Sequence, residues 1–373
     1  MRQHYDAIVV GCGGVSSAAL YHLARRGKKV LGIDRFGIAH NRGSSHGHTR
    51  VIRMAYYEHP DYVPLLQRAY QLWDELEQDW QHKLFCRVGV MQMGLPDAEV
   101  IPGVLDSARR YGLPVEQWTP DQAMRRYPVF NVPKNFSVVF EQNAGYLYVE
   151  ECVRAHMLQA QKRGADWLSP CQVEQIHSED RGVKVVSDQG TFTCDSLVVA
   201  GGPWAPELLR ELNLPLHVLR KPLYWFRTQN DSYLPNRCPV FVFEVGQKFF
   251  YGFPKEDGRG VKVAQHFGGT VIKDPTTVER NVDTAECDEM TGLARDYLRD
   301  VEFPFSDHAV CMYTMSPDKH FIVDRHPSDS RIVFACGLSG HGFKFATVLG
   351  EALTDLALDG AARVPIEFLR ANR

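Results

Sequence analysis

The run Val9-Val10-Gly11-Cys12-Gly13-Gly14-Val15-Ser16 places glycines where a chain leaving a strand can turn sharply and enter a helix. Gly11 permits the tight turn, and Gly13 lets the backbone approach a pyrophosphate, which then meets the amides and positive dipole of the helix start. The third glycine position holds Ser16, a departure, but a small side chain strains helix–strand packing little. An acid follows at Asp34, 23 residues after Gly11, placed to accept from ribose hydroxyls and to repel a 2′-phosphate. These features in register predict a bound dinucleotide. Only one such fingerprint is present, so a second site for a nicotinamide is not indicated.

Other residues carry charge or nucleophilicity without declaring a role. The segment Gly43-Ser44-Ser45-His46-Gly47-His48-Thr49-Arg50-Val51-Ile52-Arg53 is polar, glycine-bearing and cationic. By itself it reads as a solvated loop, and Arg50 and Arg53 would share a face on a helix but diverge on a strand. His46 and His48 have no nearby cysteine or carboxylate to complete a ligand set, so no metal is expected. Cys311, taken alone, is a buried inert thiol. Lys344 stands at a helix start, where its charge opposes the dipole, so a nearby anion would account for it better. Lys262, Ala264 and His266 alternate, and on a strand they would face one side.

The elements that must position these residues are legible from periodicity. Residues 6–10 and 29–33 read as strands around a helix at 16–26. Residues 62–79 carry apolar side chains at helical spacing, as do 151–163. Strand patterns at 171–199 end in Gly201-Gly202-Pro203-Trp204, and a last buried strand at 331–337 precedes a helix at 345–358. Residues 218–267 alternate apolar and polar with many aromatics, which suits an antiparallel sheet. The fold class expected is α/β (α+β overall). A Rossmann-like nucleotide domain is assembled from residues 1–85, 146–217 and 315–373, and a mainly antiparallel second domain from 86–145 and 218–314.

Composition bounds the rest. The chain has 373 residues, 44% hydrophobic and 23% charged, with a net charge of −3 and no long charged run, which argues against nucleic acid or an anionic membrane as the main partner. No apolar stretch approaches the roughly 18 residues needed to span a bilayer. Nine cysteines scattered without paired spacing disfavour a disulfide framework. A signal peptide and a peroxisomal address are not expected, and the cytoplasm is.

The order GxGxx, Asp34, Gly-Ser-Ser-His-Gly-x-Thr-Arg-x-Ile-Arg, Cys311-Met312-Tyr313-Thr314, Phe321-Ile322-Val323-Asp324-x-His326-Pro327 and Gly340-His341-Gly342-Phe343-Lys344 resembles the monomeric sarcosine oxidase family. That family includes N-methyltryptophan oxidase and pipecolate oxidase, and the likeness spans nearly the whole chain. It implies FAD as the cofactor, held covalently by a thioether from Cys311 to the flavin 8α-carbon; a thiolate is an apt nucleophile for such a bond. By the same resemblance Gly11, Gly13, Ser16, Asp34 and Arg35 contact the nucleotide. Ser44, His46, Thr49 and Arg50, with Gly201 and Trp204, line the cofactor, as do Met312, Gly340, Gly342, Phe343 and Lys344.

The implied reaction is oxidation of a secondary amino acid, N-methyl or cyclic, to an imine that hydrolyses, with O2 reduced to H2O2. Arg53 and Lys344 match the pair that holds the substrate carboxylate, an arginine fork and a lysine point charge. Lys262 matches a lysine that stabilises negative charge developing on oxygen. His266 matches an active-site histidine, and Arg50 an arginine tuning the flavin. Tyr251 matches a pocket tyrosine, with a core-filling role equally compatible. His341 is expected to orient rather than to transfer protons. The uncharged amine is the reactive form, so no dedicated base is sought. Val242 stands where sarcosine oxidase has a methionine, which leaves more room, and His59-Pro60-Asp61-Tyr62 departs from the usual glycine-rich acidic stretch. Both hint at a substrate other than sarcosine. Alternatives are a fructosyl amino acid oxidase, an FAD dehydrogenase with another acceptor, and a flavin-binding subunit without chemistry; Lys262 opposes the second, and the retained site residues the third. A monomer is expected.

Overall fold

The first strand, His4–Val10, is the axis of the parallel sheet. Its apolar run is buried on both faces, as a parallel strand flanked by helices requires. The structure, a computed structural model, describes residues 3–373. Strands Asp166–Leu168, Val30–Ile33, His4–Val10, Gly190–Val199 and Asp329–Cys336 lie side by side in that order, all parallel. An antiparallel hairpin, Val173–Glu179 with Gly182–Ser187, extends the sheet against Gly190–Val199, and Ile322–His326 pairs antiparallel with Asp329–Cys336. The chain leaves the first strand toward Val30–Ile33 on one side and returns as Gly190–Val199 on the other. That reversal leaves a crevice at the carboxyl ends, where open α/β sheets bind ligands.

Four helices cover one face: Gly14–Arg25, Val63–Trp80, Val149–Lys162 and Ala346–Leu358. The first and last approach closely because Gly350 has no side chain; a Cβ there would lie 2.6 Å from the Cβ of Ala18. The amphipathic helix Val63–Trp80 buries Leu65, Leu66, Ala69, Leu72, Trp73 and Leu76, the apolar stripe read from the sequence. Among the described residues no helix is long and apolar enough to cross a membrane.

The second layer is a nine-stranded sheet built on the long strand His217–Phe226. It is antiparallel except where Val240–Val245 runs parallel to Val90–Gly94. Alternation sorts its two faces. Tyr224, Phe226, Phe241, Phe243, Phe250, Val261 and Val263 bury one face beneath the helix Thr284–Tyr297. Leu223, Trp225, Val242, Tyr251, Ala264 and Cys311 form the other, directed at the crevice. A small third sheet, Thr49–Ile52, Gly145–Tyr148 and Phe85–Cys86, sits between the layers.

Candidate active site

A long cavity enclosing about 1460 Å³, its open mouth included, follows the carboxyl ends of the parallel strands. At one end it is lined by Gly11, Gly13, Asp34 and Arg35, and at the other by Arg50, Met312, Gly340, Gly342 and Phe343, with Ser44, Gly201 and Trp204 between. Gly11 has φ +93°, and a Cβ there would sit 2.8 Å from the Ala200 carbonyl, so this turn admits only glycine without strain. The Asp34 carboxylate accepts from the amides of Cys12 (2.6 Å) and Phe36 (2.7 Å), which fixes it at the end of its strand. Burial pushes its pKa up to about 6, against the pull of those amides.

The residues present fit FAD. The helix Gly14–Arg25 begins without an acid in its first turn, its Gly14 amide held by the Ser45 hydroxyl at 3.0 Å, which leaves its dipole for an anion. Two buried polar atoms of residues on the cavity wall, Trp204 Nε1 and Thr314 Oγ1, have no partner among the described residues. Orphaned buried polar groups are rare in native proteins unless a ligand or water completes them. Cys311 is fully buried beside the wall, its sulfur 3.1 Å from an Arg50 nitrogen and 3.2 Å from the Ser44 carbonyl, and both neighbours line the cavity.

A smaller cavity adjoins the first, and Arg50, Gly340 and Phe343 line both. Its other walls include Arg53, Tyr57, Glu58, Val242, Phe249, Tyr251, His266, His341 and Lys344. Arg50 does lie on a strand, Thr49–Ile52, as Arg53 does not. The strand stops at Ile52, and the break in alternation turns both arginines toward one cavity. Helical spacing was therefore not needed to bring them together.

Around this cavity charge is tightly arranged. Arg53 donates to Glu58 at 2.8 Å and lies over the rings of Tyr56 and Tyr57. Burial alone would raise the Glu58 carboxyl, but Arg53 above all holds it below the usual carboxylate range. Lys344 sits in the turn Phe343–Phe345 that precedes the last helix, and its ammonium donates to the His341 carbonyl at 2.7 Å. The His341 ring takes up one tautomer: Nε2 donates to the Lys319 carbonyl (2.9 Å), so Nδ1 accepts from the Tyr56 hydroxyl (2.5 Å). Burial lowers its pKa to about 4, so it is neutral and orienting. Tyr251 lines this cavity and its hydroxyl lies 3.3 Å from that of Tyr313.

Some sequence-derived residues stand back from the cavities. Ser16 is fully buried, with its hydroxyl packed under Gly11, and does not reach the wall. His46 and Thr49 are likewise buried behind it. Lys262 lies behind Thr49: its ammonium donates to the carbonyls of Gly47 and Thr49, each at 2.7 Å, and to the Thr49 hydroxyl at 3.1 Å. Burial works against its charge. Three acceptors for three ammonium protons offset that cost. Glu58 escaped the sequence reading; its only signal is an acid five residues beyond Arg53, in the run Tyr56-Tyr57-Glu58.

Burial, then Arg53, pushes the Lys344 pKa down to about 7. A bound carboxylate favours the protonated form, so affinity for a simple carboxylate such as acetate is full below pH 7 and falls as pH rises through it. Titration calorimetry across pH 6–9 measures this, and Lys344→Met binds weakly with a flat profile.

Comparison with known proteins bears on this geometry. Residues 6–356 match the family described as FAD dependent oxidoreductase. The chain is 39% identical over 380 residues to the monomeric sarcosine oxidase of Bacillus sp. (strain B-0618), covering 100% of this chain and 97% of that protein. It is 38% identical over 371 residues to the N-methyl-L-tryptophan oxidase of Yersinia pestis (strain Pestoides F), covering 99% of each. The solved structure of NikD, described as an unusual amino acid oxidase essential for nikkomycin biosynthesis, superimposes with a TM-score of 0.88 at 23% identity, covering 99% of this chain and 98% of that one.

Proposed function

This chain belongs to the FAD-dependent oxidoreductase family, and on that premise we propose that it is an oxidase of secondary amino acids, N-methyl or cyclic, with O2 as acceptor. The observation that carries this reading is the meeting of the two cavities at Arg50, Gly340 and Phe343. A small amino acid in the second cavity is thereby brought against whatever fills the end of the first. Bound FAD would supply the redox chemistry: the C–H beside the amine and the amine N–H together give up two electrons and two protons as the imine forms, and these would pass to O2 as H2O2.

The protein's own residues bind and orient. Arg53 and Lys344 converge on one side of the cavity and suit a substrate carboxylate, the guanidinium as a fork and the ammonium as a point charge. Val242, Phe249 and Tyr57 give an apolar wall for the substrate's side chain. His341, neutral and fixed at both ring nitrogens, holds the turn that carries Lys344. Lys262 supplies positive charge beneath Thr49 for the step in which oxygen becomes negative. The chain acts on its small-molecule substrate as a monomer in this reading.

The reading includes a covalent link from Cys311 to the flavin. Acid-precipitated protein remains yellow, and its mass exceeds that of the chain by about one FAD; Cys311→Ser releases the colour. A colourless pellet from flavin-loaded wild type would remove the bond from the proposal. The function itself is tested by a peroxide-release screen over N-methyl amino acids, proline, pipecolate and fructosyl amino acids. Peroxide from fructosyl amino acids alone would replace the substrate class proposed.

A further inference from the structure

Two buried lysines lie on the crevice-facing side of the nine-stranded sheet, and the reaction outlined above uses only Lys262. The other is Lys221, 2% exposed. It sits on the strand His217–Phe226, two residues before Leu223 and four before Trp225, and so faces as they do.

Opposite Lys221 the sheet is interrupted. Residues Leu223–Phe226 pair with Val261–Ala264, and Val218–Arg220 pair with Thr270–Ile272, along the same edge. Residues 266–269 are looped out between these two ladders, facing only Lys221 and Pro222, and Pro222 has no amide hydrogen to offer. The excursion turns through Gly268 (φ +68°) and Gly269 (φ +115°). Its carbonyls, having lost their ladder donors, converge on one point. There the Lys221 ammonium donates to His266 O (3.0 Å), Phe267 O (2.9 Å) and Gly268 O (3.1 Å). Three donors on one nitrogen match three converging acceptors, which neither an arginine fork nor a glutamine amide can reproduce.

The first residue of the loop is His266, whose imidazole lines the second cavity. No protein group hydrogen-bonds its ring nitrogens among the described residues; the ring is set by the backbone and by contacts with Phe249, Phe267 and Tyr313, at 5.1, 5.6 and 5.7 Å between centroids. Lys221 also lies 5.2 Å from the Tyr313 ring. The backbone of residues 266–268 is thus what aims the imidazole.

We propose that Lys221 is a positioning residue for substrate oxidation, its ammonium tying the looped-out carbonyls so that His266 presents its imidazole to the substrate. This rests on the reading of the second cavity as the substrate site. The test is a double-mutant cycle of Lys221→Met and His266→Ala in flavin-loaded protein, followed by anaerobic stopped-flow reduction with an N-methyl amino acid that the screen selects. Lys221→Met lowers reduction efficiency about tenfold in the wild-type background and less than about twofold in His266→Ala, because the two act as one unit. Reaction with O2 is unchanged, and Lys221→Gln, with two donors, is intermediate. Should Lys221→Met fail to fold, Lys221→Gln carries the same cycle. Equal losses in both backgrounds would make Lys221 a general support, and a slowed O2 step would make its charge the active feature; either overturns the proposal. If wild type oxidises none of the amines, the substrate-site reading falls and this proposal with it; if wild type is active and the losses multiply, only this proposal falls.

Discussion

Replacing Lys262 by methionine slows reaction of the reduced enzyme with O2 by about 10²–10³, the usual worth of a preorganised charge contact. Anaerobic reduction by substrate changes much less. The substitution keeps the length and apolar stem and removes only the charge, which the structure fixes in place: Gly47 O, Thr49 O and the Thr49 hydroxyl take all three ammonium protons. Those acceptors lie one and three residues before Arg50, which lines both cavities. Stopped-flow absorbance separates the two half-reactions, and an artificial electron acceptor restores part of the turnover. Equal slowing of both halves would make Lys262 a structural support, and undiminished reaction with O2 would place the oxygen site elsewhere.

Arg53→Ala raises KM for an amino-acid substrate by roughly ten- to a hundredfold, since a charge-assisted hydrogen bond is worth about 1.5–3 kcal/mol. Lys344→Met acts in the same direction. Glu58 adds a second component to the arginine effect. Its carboxylate, now 2.8 Å from Arg53, would be left buried and unpaired against an incoming carboxylate. The double variant Arg53→Ala/Glu58→Gln therefore recovers part of the loss. Masking the substrate carboxylate as an amide costs the wild type far more than it costs either cation variant. Equal oxidation of acid and amide by wild type would show that the clamp is misassigned.

Much of this was readable from sequence because it depends on local pattern. Strand, glycine turn, helix and Asp34 carry their own periodicity and spacing, and each takes its expected place. So do the alternating strands of residues 218–267. What escaped depends on interruption. Arg50 and Arg53 converge because a strand ends between them, which alternation alone forbids. Lys221 reads as one more residue of a strand until the gap in the ladder opposite it is seen. Glu58 matters through a partner and a cavity, and nothing in its own neighbourhood of sequence announces either. Ser16 shows the converse: a motif position whose side chain supports the turn from beneath instead of facing the ligand.

The order of strands in the parallel sheet also governs when the protein can come into being. His4–Val10 lies between residues 30–33 and 193–199, and the latter are in turn covered by residues 332–334. During synthesis the first strand must wait for nearly two hundred residues before it gains its second neighbour, and the sheet's next edge stays open until residues 332–334 are made. Pairings so distant in sequence form slowly, and open strand edges invite association with other chains in the meantime. The cofactor cavity takes walls from residues 11, 200, 312 and 343, so it has no counterpart in any nascent fragment. Flavin therefore has a place to bind only after these distant segments have come together, and by then the parallel sheet has gained the neighbours that cover its edges.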